Sequence, residues 1–163
     1  SFDSTKWIAT GNGGAVASND NDFINNLEKI KLDKGISDLN CSLGITQIDK
    51  IQDFKSKRVE IASQYFIKMP FITKELAKLK SCFYRFPILV ENDSLFFSSK
   101  KVAFRRGVDK LLNSKYNSNN NLINSERIFK KTVSIPIYPS LTKDEIKSII
   151  DETKKIYYEN RIT

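Results

Sequence analysis

An α/β fold, a small sheet covered by helices and preceded by a β-hairpin, is the class this sequence predicts, on three observations. β-favouring runs at 83–91 and 132–137 alternate with stretches of helical apolar period. Clusters of glycine, asparagine and proline separate those runs as turns. The apolar share, 40% of 163 residues, is enough for one domain's core.

Residues 1–18 read as a hairpin. Phe2 and Ile8 to Thr10 form one arm, Gly11, Gly13 and Gly14 the reversal, and Ala15-Val16-Ala17 the other arm. Glycine suits that reversal because it takes positive φ freely. Asn19-Asp20-Asn21-Asp22 offers caps for a short helix to about Lys31, with Phe23, Leu27 and Ile30 on one face. Ser37 is a good N-cap for one long helix to Lys68, which Met69-Pro70 ends. Leu39, Leu43, Ile48, Ile51, Ala62 and Tyr65 form its apolar stripe, predicted to pack into the core. The run 83–91 is a strand whose Pro87 points to an edge or irregular position. Helices over 94–105 and 107–114 follow, parted near Gly107, then a polar loop over 115–121. A short helix over 125–131 leads into the strand 132–137. Thr142-Lys143-Asp144-Glu145 is a capping box that opens the last helix, to about Tyr158.

The net charge is +8, from 27 Lys and Arg against 19 Asp and Glu, with no histidine. The lysines are spread along the chain rather than gathered on one element, which argues against a nucleic-acid partner. Cys41 and Cys82 lie far apart in no metal-type spacing, so they read as reduced structural thiols, and no metal site is expected. No apolar run reaches membrane-span length and nothing resembles a signal peptide, so the expectation is a cytoplasmic chain with no membrane partner. Asn40-Cys41-Ser42 and Asn92-Asp93-Ser94 fit the glycosylation triplet and are discounted on the same ground.

The chemistry-bearing run is Ser1-Phe2-Asp3-Ser4-Thr5-Lys6-Trp7-Ile8-Ala9-Thr10-Gly11-Asn12-Gly13-Gly14. It places a lysine between a short apolar and hydroxyl-bearing segment and a Gly-x-Gly-Gly turn. A lysine amine attacks a carbonyl only when neutral, which requires desolvation or neighbouring positive charge. This run resembles the cofactor-lysine segment of the DegT/DnrJ/StrS-type sugar aminotransferases, Ser-Phe-x-x-x-Lys followed by Gly-acid-Gly-Gly. Ser37-Asp38-Leu39-Asn40-Cys41-Ser42-Leu43-Gly44-Ile45-Thr46-Gln47-Ile48 with Lys57-Arg58-Val59-Glu60-Ile61-Ala62 resembles that family's linker helix. Tyr84-Arg85-Phe86-Pro87-Ile88-Leu89-Val90 is similar to its central small-domain strand, and Thr132-Val133-Ser134-Ile135-Pro136-Ile137-Tyr138-Pro139 to its late strand.

The resemblance implies the small C-terminal domain of a fold-type-I enzyme dependent on pyridoxal 5′-phosphate (PLP). Residues 1–30 would be a remnant of the large cofactor-binding domain, 31–68 the linker helix and 69–163 the small domain. It implies Lys6 as the catalytic, cofactor-bearing amine and proton-moving base, and Ser1 as a phosphate contact. The substrate would be a keto-deoxy sugar carried on a nucleoside diphosphate, aminated at the expense of a donor such as glutamate. Tyr84 falls near a polar substrate position. Arg105 and Arg106 suit the diphosphate, or else complement the carboxyl end of the preceding helix. Phe83, Tyr84, Phe96, Phe97 and Phe104 would stack on a nucleotide base or pack the core.

Lys31-Leu32-Asp33-Lys34-Gly35-Ile36 departs from the family's Gly-Tyr-Asn-Tyr-Arg-Met, Asn12 replaces the acid between the glycines, and the spacing from Gly14 to Ser37 is short. These departures predict that PLP is not retained. The five residues before Lys6 are too few to build a cofactor pocket, so the chain alone is expected to be inactive. The exposed edge of the leftover hairpin is expected to pair with a second copy, as a homodimer, or with a separate large-domain half. The alternative is a non-catalytic module, a split-enzyme half or decayed relic that acts by interaction and dimerisation.

Overall fold

The computed structural model describes residues 1–30, 35–72, 81–108, 110–112 and 122–159. Its elements are α1 (Asn21–Glu28), α2 (Asp38–Ile48), α3 (Ile51–Lys68), β1 (Phe86–Leu89), α4 (Ser94–Phe97), α5 (Ile123–Lys131), β2 (Thr132–Ile135) and α6 (Lys143–Glu159). They fall into two compact units, Ser1–Phe54 and Lys55–Thr163, with the division inside α3. The class is the α/β one expected, a small sheet accompanied by helices.

The second unit is built round β1 and β2, antiparallel with Phe86 opposite Ile135 and Ile88 opposite Val133. Alternation along β1 buries Phe86 and Ile88 and leaves Pro87 and Leu89 exposed. Pro87 has no N–H to give, and its partner Ser134 bonds elsewhere. Ser134 N–H donates to the Arg105 carbonyl at 2.7 Å and its carbonyl accepts from Arg105 N–H at 3.2 Å. Pro87 and Ser134 are therefore a non-hydrogen-bonded pair, where the missing donor costs no ladder bond.

Helices close the core. α3 buries Ile61, Ala62 and Tyr65, and the Tyr65 ring meets Phe86 edge-on at 5.1 Å. The Tyr65 hydroxyl donates to the Pro136 carbonyl at 2.7 Å, and burial drives its pKa well above the ordinary tyrosine value. α6 buries Ile146, Ile149, Ile150, Thr153 and Ile156, the spacing of a single helical face. The Thr142 and Glu145 capping box forms as expected: Thr142 N–H donates to Glu145 Oε2 at 2.7 Å and Glu145 N–H to Thr142 Oγ1 at 3.3 Å. Arg58 ties α3 to the segments just before β1 and just after β2, its Nη1 donating to the carbonyls of Phe83 (3.1 Å), Tyr84 (3.2 Å) and Ile137 (2.6 Å).

Four expectations are corrected. Residues 1–18 form no paired hairpin strands but a closed loop with a single parallel bridge between Asp3 and Gly11. The cause is local: Asp3 Oδ1 accepts from Thr5 N–H at 3.2 Å and from the Ser4 and Thr5 hydroxyls, which turns the chain where a strand would run straight. The long helix breaks between α2 and α3. Lys50 N–H reaches the Gln47 carbonyl, three residues back, at 3.1 Å, so the last turn of α2 tightens and stops. The apolar stripe is half core and half surface: Ala62 and Tyr65 are fully buried, whereas Leu39 is 81% exposed. The helix expected over 94–105 is confined to α4. After it, Ser99 Oγ accepts from Lys101 and Val102 N–H, and Arg105 joins the sheet by its bridge to Ser134. The second helix, expected over 107–114, is absent at the described residues 107, 108, 110 and 111; its residues 109, 113 and 114, and the loop expected over 115–121, lie outside the described residues.

Candidate functional site: the Lys6 loop

Lys6 sits on a loop whose base is stitched shut. Thr10 N–H donates to the Phe2 carbonyl at 2.9 Å and Phe2 N–H to the Gly13 carbonyl at 2.9 Å. The Thr10 hydroxyl donates to the carbonyls of Phe2, at 3.2 Å, and Asn12. Thr10 is itself buried, so this polar knot is shielded from water. Across the loop, Lys6 N–H donates to the Asp3 carbonyl at 2.9 Å, placing the lysine at the end of a tight turn. Of the three glycines expected to use positive φ, Gly11 (φ +84°) and Gly13 (φ +108°) do and Gly14 does not. At Gly13 a Cβ would also lie 2.7 Å from Ile36 Cδ1, so a side chain there would have to displace the tip of Ile36 as well as strain the backbone.

The electrostatics of the loop centre on Asp3. The Thr5 N–H holds its carboxyl below the ordinary 3.8, helped by the Ser4 and Thr5 hydroxyls and the Lys6 charge. Lys6 and Ser1 are both exposed, and Ser1 Oγ accepts from Asp3 N–H at 3.4 Å. A lysine amine and a serine hydroxyl are the groups that would hold the aldehyde and phosphate of PLP, and the covering that imine formation requires would have to come from outside this loop. The ring end requires an anion for its nitrogen, and the loop's own carboxylate is already committed to Ser4 and Thr5. The loop thus fits the anchor and not the ring.

Behind the loop stands α2. The Gln47 carboxamide pairs with Ala9 in both directions: Ala9 N–H donates to Oε1 at 2.9 Å and Nε2 donates to the Ala9 carbonyl at 2.8 Å. Asn40 Nδ2 donates to the Thr10 carbonyl at 2.5 Å, and Asn40 Oδ1 takes the hydroxyl proton of the N-cap Ser37. Sequence reasoning missed these contacts. The signal was present in the spacing of Asn40, Gly44 and Gln47, two carboxamides and a glycine at i, i+4 and i+7 on one helical face.

The other expected site residues lie in the second unit. Arg106 is not available as half of an anion clamp. Its Nη2 lies 2.6 Å from Asp93 Oδ2, its Nη1 donates to the Phe129 carbonyl at 3.0 Å, and its guanidinium rests 4.9 Å from the Phe97 ring and 4.8 Å from that of Phe129. Arg105 contributes backbone to the sheet and keeps an exposed side chain. Tyr84 is half-buried, with Arg85 5.5 Å over its ring. Phe96 and Phe104 meet edge-on at 5.1 Å and are buried, core aromatics rather than a base platform. Both cysteines are free thiols. Among the described residues no group of His, Cys, Asp and Glu is placed to hold a metal, and no helix is long and apolar enough to cross a membrane.

The fold has known counterparts. The chain is 28% identical to the UDP-4-amino-4,6-dideoxy-N-acetyl-beta-L-altrosamine transaminase of Campylobacter jejuni serotype O:2, a match covering 96% of this chain and 53% of that protein. It is 24% identical to MJ1066 of Methanocaldococcus jannaschii, covering 99% of this chain and 54% of the relative. That alignment runs over 213 positions against the 163 residues present, so stretches of the relative have no counterpart here. Among solved structures, the aminotransferase TlmJ from Streptoalloteichus hindustanus superposes with a TM-score of 0.81 at 20% identity, covering 97% of this chain and 51% of that one. PseC of Helicobacter pylori, an aminotransferase involved in pseudoaminic acid biosynthesis, gives 0.74 at 22% identity, covering 98% and 52%. The chain therefore spans about half the length of the proteins it matches. Residues 30–154 match the model of the DegT/DnrJ/EryC1/StrS aminotransferase family, and the chain belongs to that family.

Proposed function

We propose that this chain is the C-terminal part of a PLP-dependent aminotransferase acting on a nucleotide-linked keto-deoxy sugar. Lys6 is the amine that carries the cofactor and moves the substrate proton, and Ser1 assists at the phosphate. When bound, PLP supplies the electron sink, and the loop's contribution is to hold the amine at a fixed place. The observation that carries this reading is the Lys6 loop itself, stitched at Phe2, Thr10 and Gly13 and backed by α2 at Ala9 and Thr10. A surface lysine with no task has no need of such support.

These 163 residues alone are inactive on this reading, because the exposed Lys6 takes its pocket from a large domain. That domain is the part of the family enzyme that the match does not span, joined to this chain or made separately, and the working assembly is a cytoplasmic dimer. The exposed apolar side chains of the first unit, Val16, Phe23, Leu39 and Ile45 among them, favour such a covering partner. They also support the second reading, a module that acts only by interaction.

An absorbance scan with added PLP tests both. The chain by itself should give no band that depends on Lys6. Mixed with the large-domain half of a family relative, it should give one that Lys6→Ala abolishes. A Lys6-dependent band from the chain alone would overturn its inactivity. A stable complex with no such band would overturn the role of Lys6 and leave the interaction module.

A further inference from the structure

We infer that the Asn40, Gly44 and Gln47 face of α2 is a clamp that sets the Lys6 loop, with Gln47 its main positioning residue. The inference rests on Lys6 being the reactive amine. Ala9 lies three residues beyond Lys6, and its N–H and C=O are both held by the Gln47 carboxamide, at 2.9 and 2.8 Å. A neighbouring strand would satisfy those groups in the same way. Here a side chain does so from a rigid helix, which fixes the backbone in two directions at once. Ser37 orients Asn40 by donating its hydroxyl to Oδ1, so that Nδ2 is aimed at the Thr10 carbonyl.

Gly44, between the two carboxamides, is buried, and a Cβ there would lie 3.1 Å from Thr10 Cγ2. A side chain at 44 would press on Thr10, so glycine there eases the close approach by which Asn40 and Gln47 reach the backbone together. The clamp then passes its constraint forward. Thr10 closes the loop on Phe2, and the turn from Asp3 to Lys6 stands on that closed base.

The test uses the full chain with no cofactor. In Gln47→Ala, exchange of the Ala9 amide with solvent should quicken by about ten-fold or more, since one backbone hydrogen bond and its helical support are lost together. The Asp3 carboxyl, held low by Thr5 and Lys6 in the intact turn, should titrate closer to the ordinary 3.8 when followed by carbon NMR. A residue that merely stabilised α2 would leave that titration unmoved.

Gly44→Val serves as the second variant. Valine is a better helix former than glycine, so α2 stays helical while its side chain presses on Thr10, and Ala9 exchange and Asp3 titration should shift in the same directions. Unchanged Ala9 exchange in both variants, or faster exchange with no movement of Asp3, would overturn the clamp. Failure of the underlying Lys6 reading is seen elsewhere, in the Lys6-dependent absorbance with the large-domain half. Lys6→Ala should leave Ala9 exchange as it is.

Discussion

Among the described residues of the first unit, Thr10 and Gly44 are the buried ones, one polar and one without a side chain. The second unit buries Tyr65, Met69, Phe86, Phe96, Val133, Ile135 and a face of isoleucines on α6. Every buried apolar side chain among the described residues lies at or beyond Ile61. The two units therefore rest on different physics. Burying an aromatic or branched side chain contributes about 1.5–3 kcal/mol, so the second unit has a stabilising core of its own. A typical hydrogen bond contributes about 1 kcal/mol net, and the first unit depends largely on such bonds. What they supply instead is direction. The first unit is organised to hold a loop in a given shape and to meet something apolar, and the second to keep itself folded.

The sharpest way to break that comparison is to truncate one apolar side chain in each unit. Phe86→Ala, in the core against Tyr65 and Phe66, should destabilise the chain by about 3–5 kcal/mol in chemical denaturation. Leu39→Ala, where the side chain is 81% exposed, should change it by no more than about 0.5 kcal/mol. Leu39→Ala should instead weaken association with the large-domain half. Equal losses of stability would mean that α2 is covered within the chain itself.

A smaller effect separates a structural arginine from a substrate one. Arg106→Ala leaves the Asp93 carboxyl, only 14% exposed, without its cation, and should cost about 2 kcal/mol after allowing for partial solvent screening. Arg106→Lys keeps the charge but loses the fork on the Phe129 carbonyl and the contact with two rings, so it should recover only part of that loss. Arg105→Ala should leave stability nearly unchanged. Thermal unfolding of the three variants tests this, and a stable Arg106→Ala protein would restore Arg106 to the substrate side.

The division between the units also marks what could be read from the sequence. In the second unit, apolar period and capping chemistry agree with the packing, so Ala62, Tyr65, α6 and its Thr142 cap are found where periodicity puts them. In the first unit the same logic misplaces Leu39 and Leu43, because a helical stripe identifies an apolar face and not what covers it. The hairpin fails for a related reason. Strand propensity in Phe2 and Ile8 is overridden by one Asx turn at Asp3, a side-chain contact that no pattern of apolar residues carries. The left-handed glycines were legible because Gly-x-Gly-Gly has few other uses. The helical clamp on Ala9 was legible only in half: the spacing of Asn40, Gly44 and Gln47 marks a polar helical face, while the backbone it holds lies 38 residues from Gln47. Arg106 shows the limit on charge: the sequence displays the cation, while Asp93 and Phe129 determine its role.

The mildest test acts on both units with one variable, pH. Glu145 in the second unit and Asp3 in the first are exposed carboxylates held below their ordinary values of 4.5 and 3.8 by backbone N–H donors, from Thr142 and Thr5 respectively. A carboxyl whose folded value is depressed binds its proton more weakly folded than unfolded. Its contribution is complete above the ordinary value and fades as pH falls through the folded one. Acidification from pH 6 to pH 2 should therefore loosen the start of α6 and the Lys6 turn over overlapping ranges, with Glu145 entering first because its ordinary value is higher. Glu145→Gln keeps the shape of the cap and removes the titrating group, so the protection of the first α6 amides, relative to open chain at the same pH, should lose the fall that Glu145 protonation causes while the Asp3 turn keeps its own. Because the second unit has a core behind its cap, fraying of α6 should leave Ile149 and Ile156 protected. Among the described residues no buried apolar side chain lies before Ile61, so the amides of the Lys6 turn should reach the exchange rate of open chain. Equal residual protection in the two places would mean that the first unit draws on burial after all.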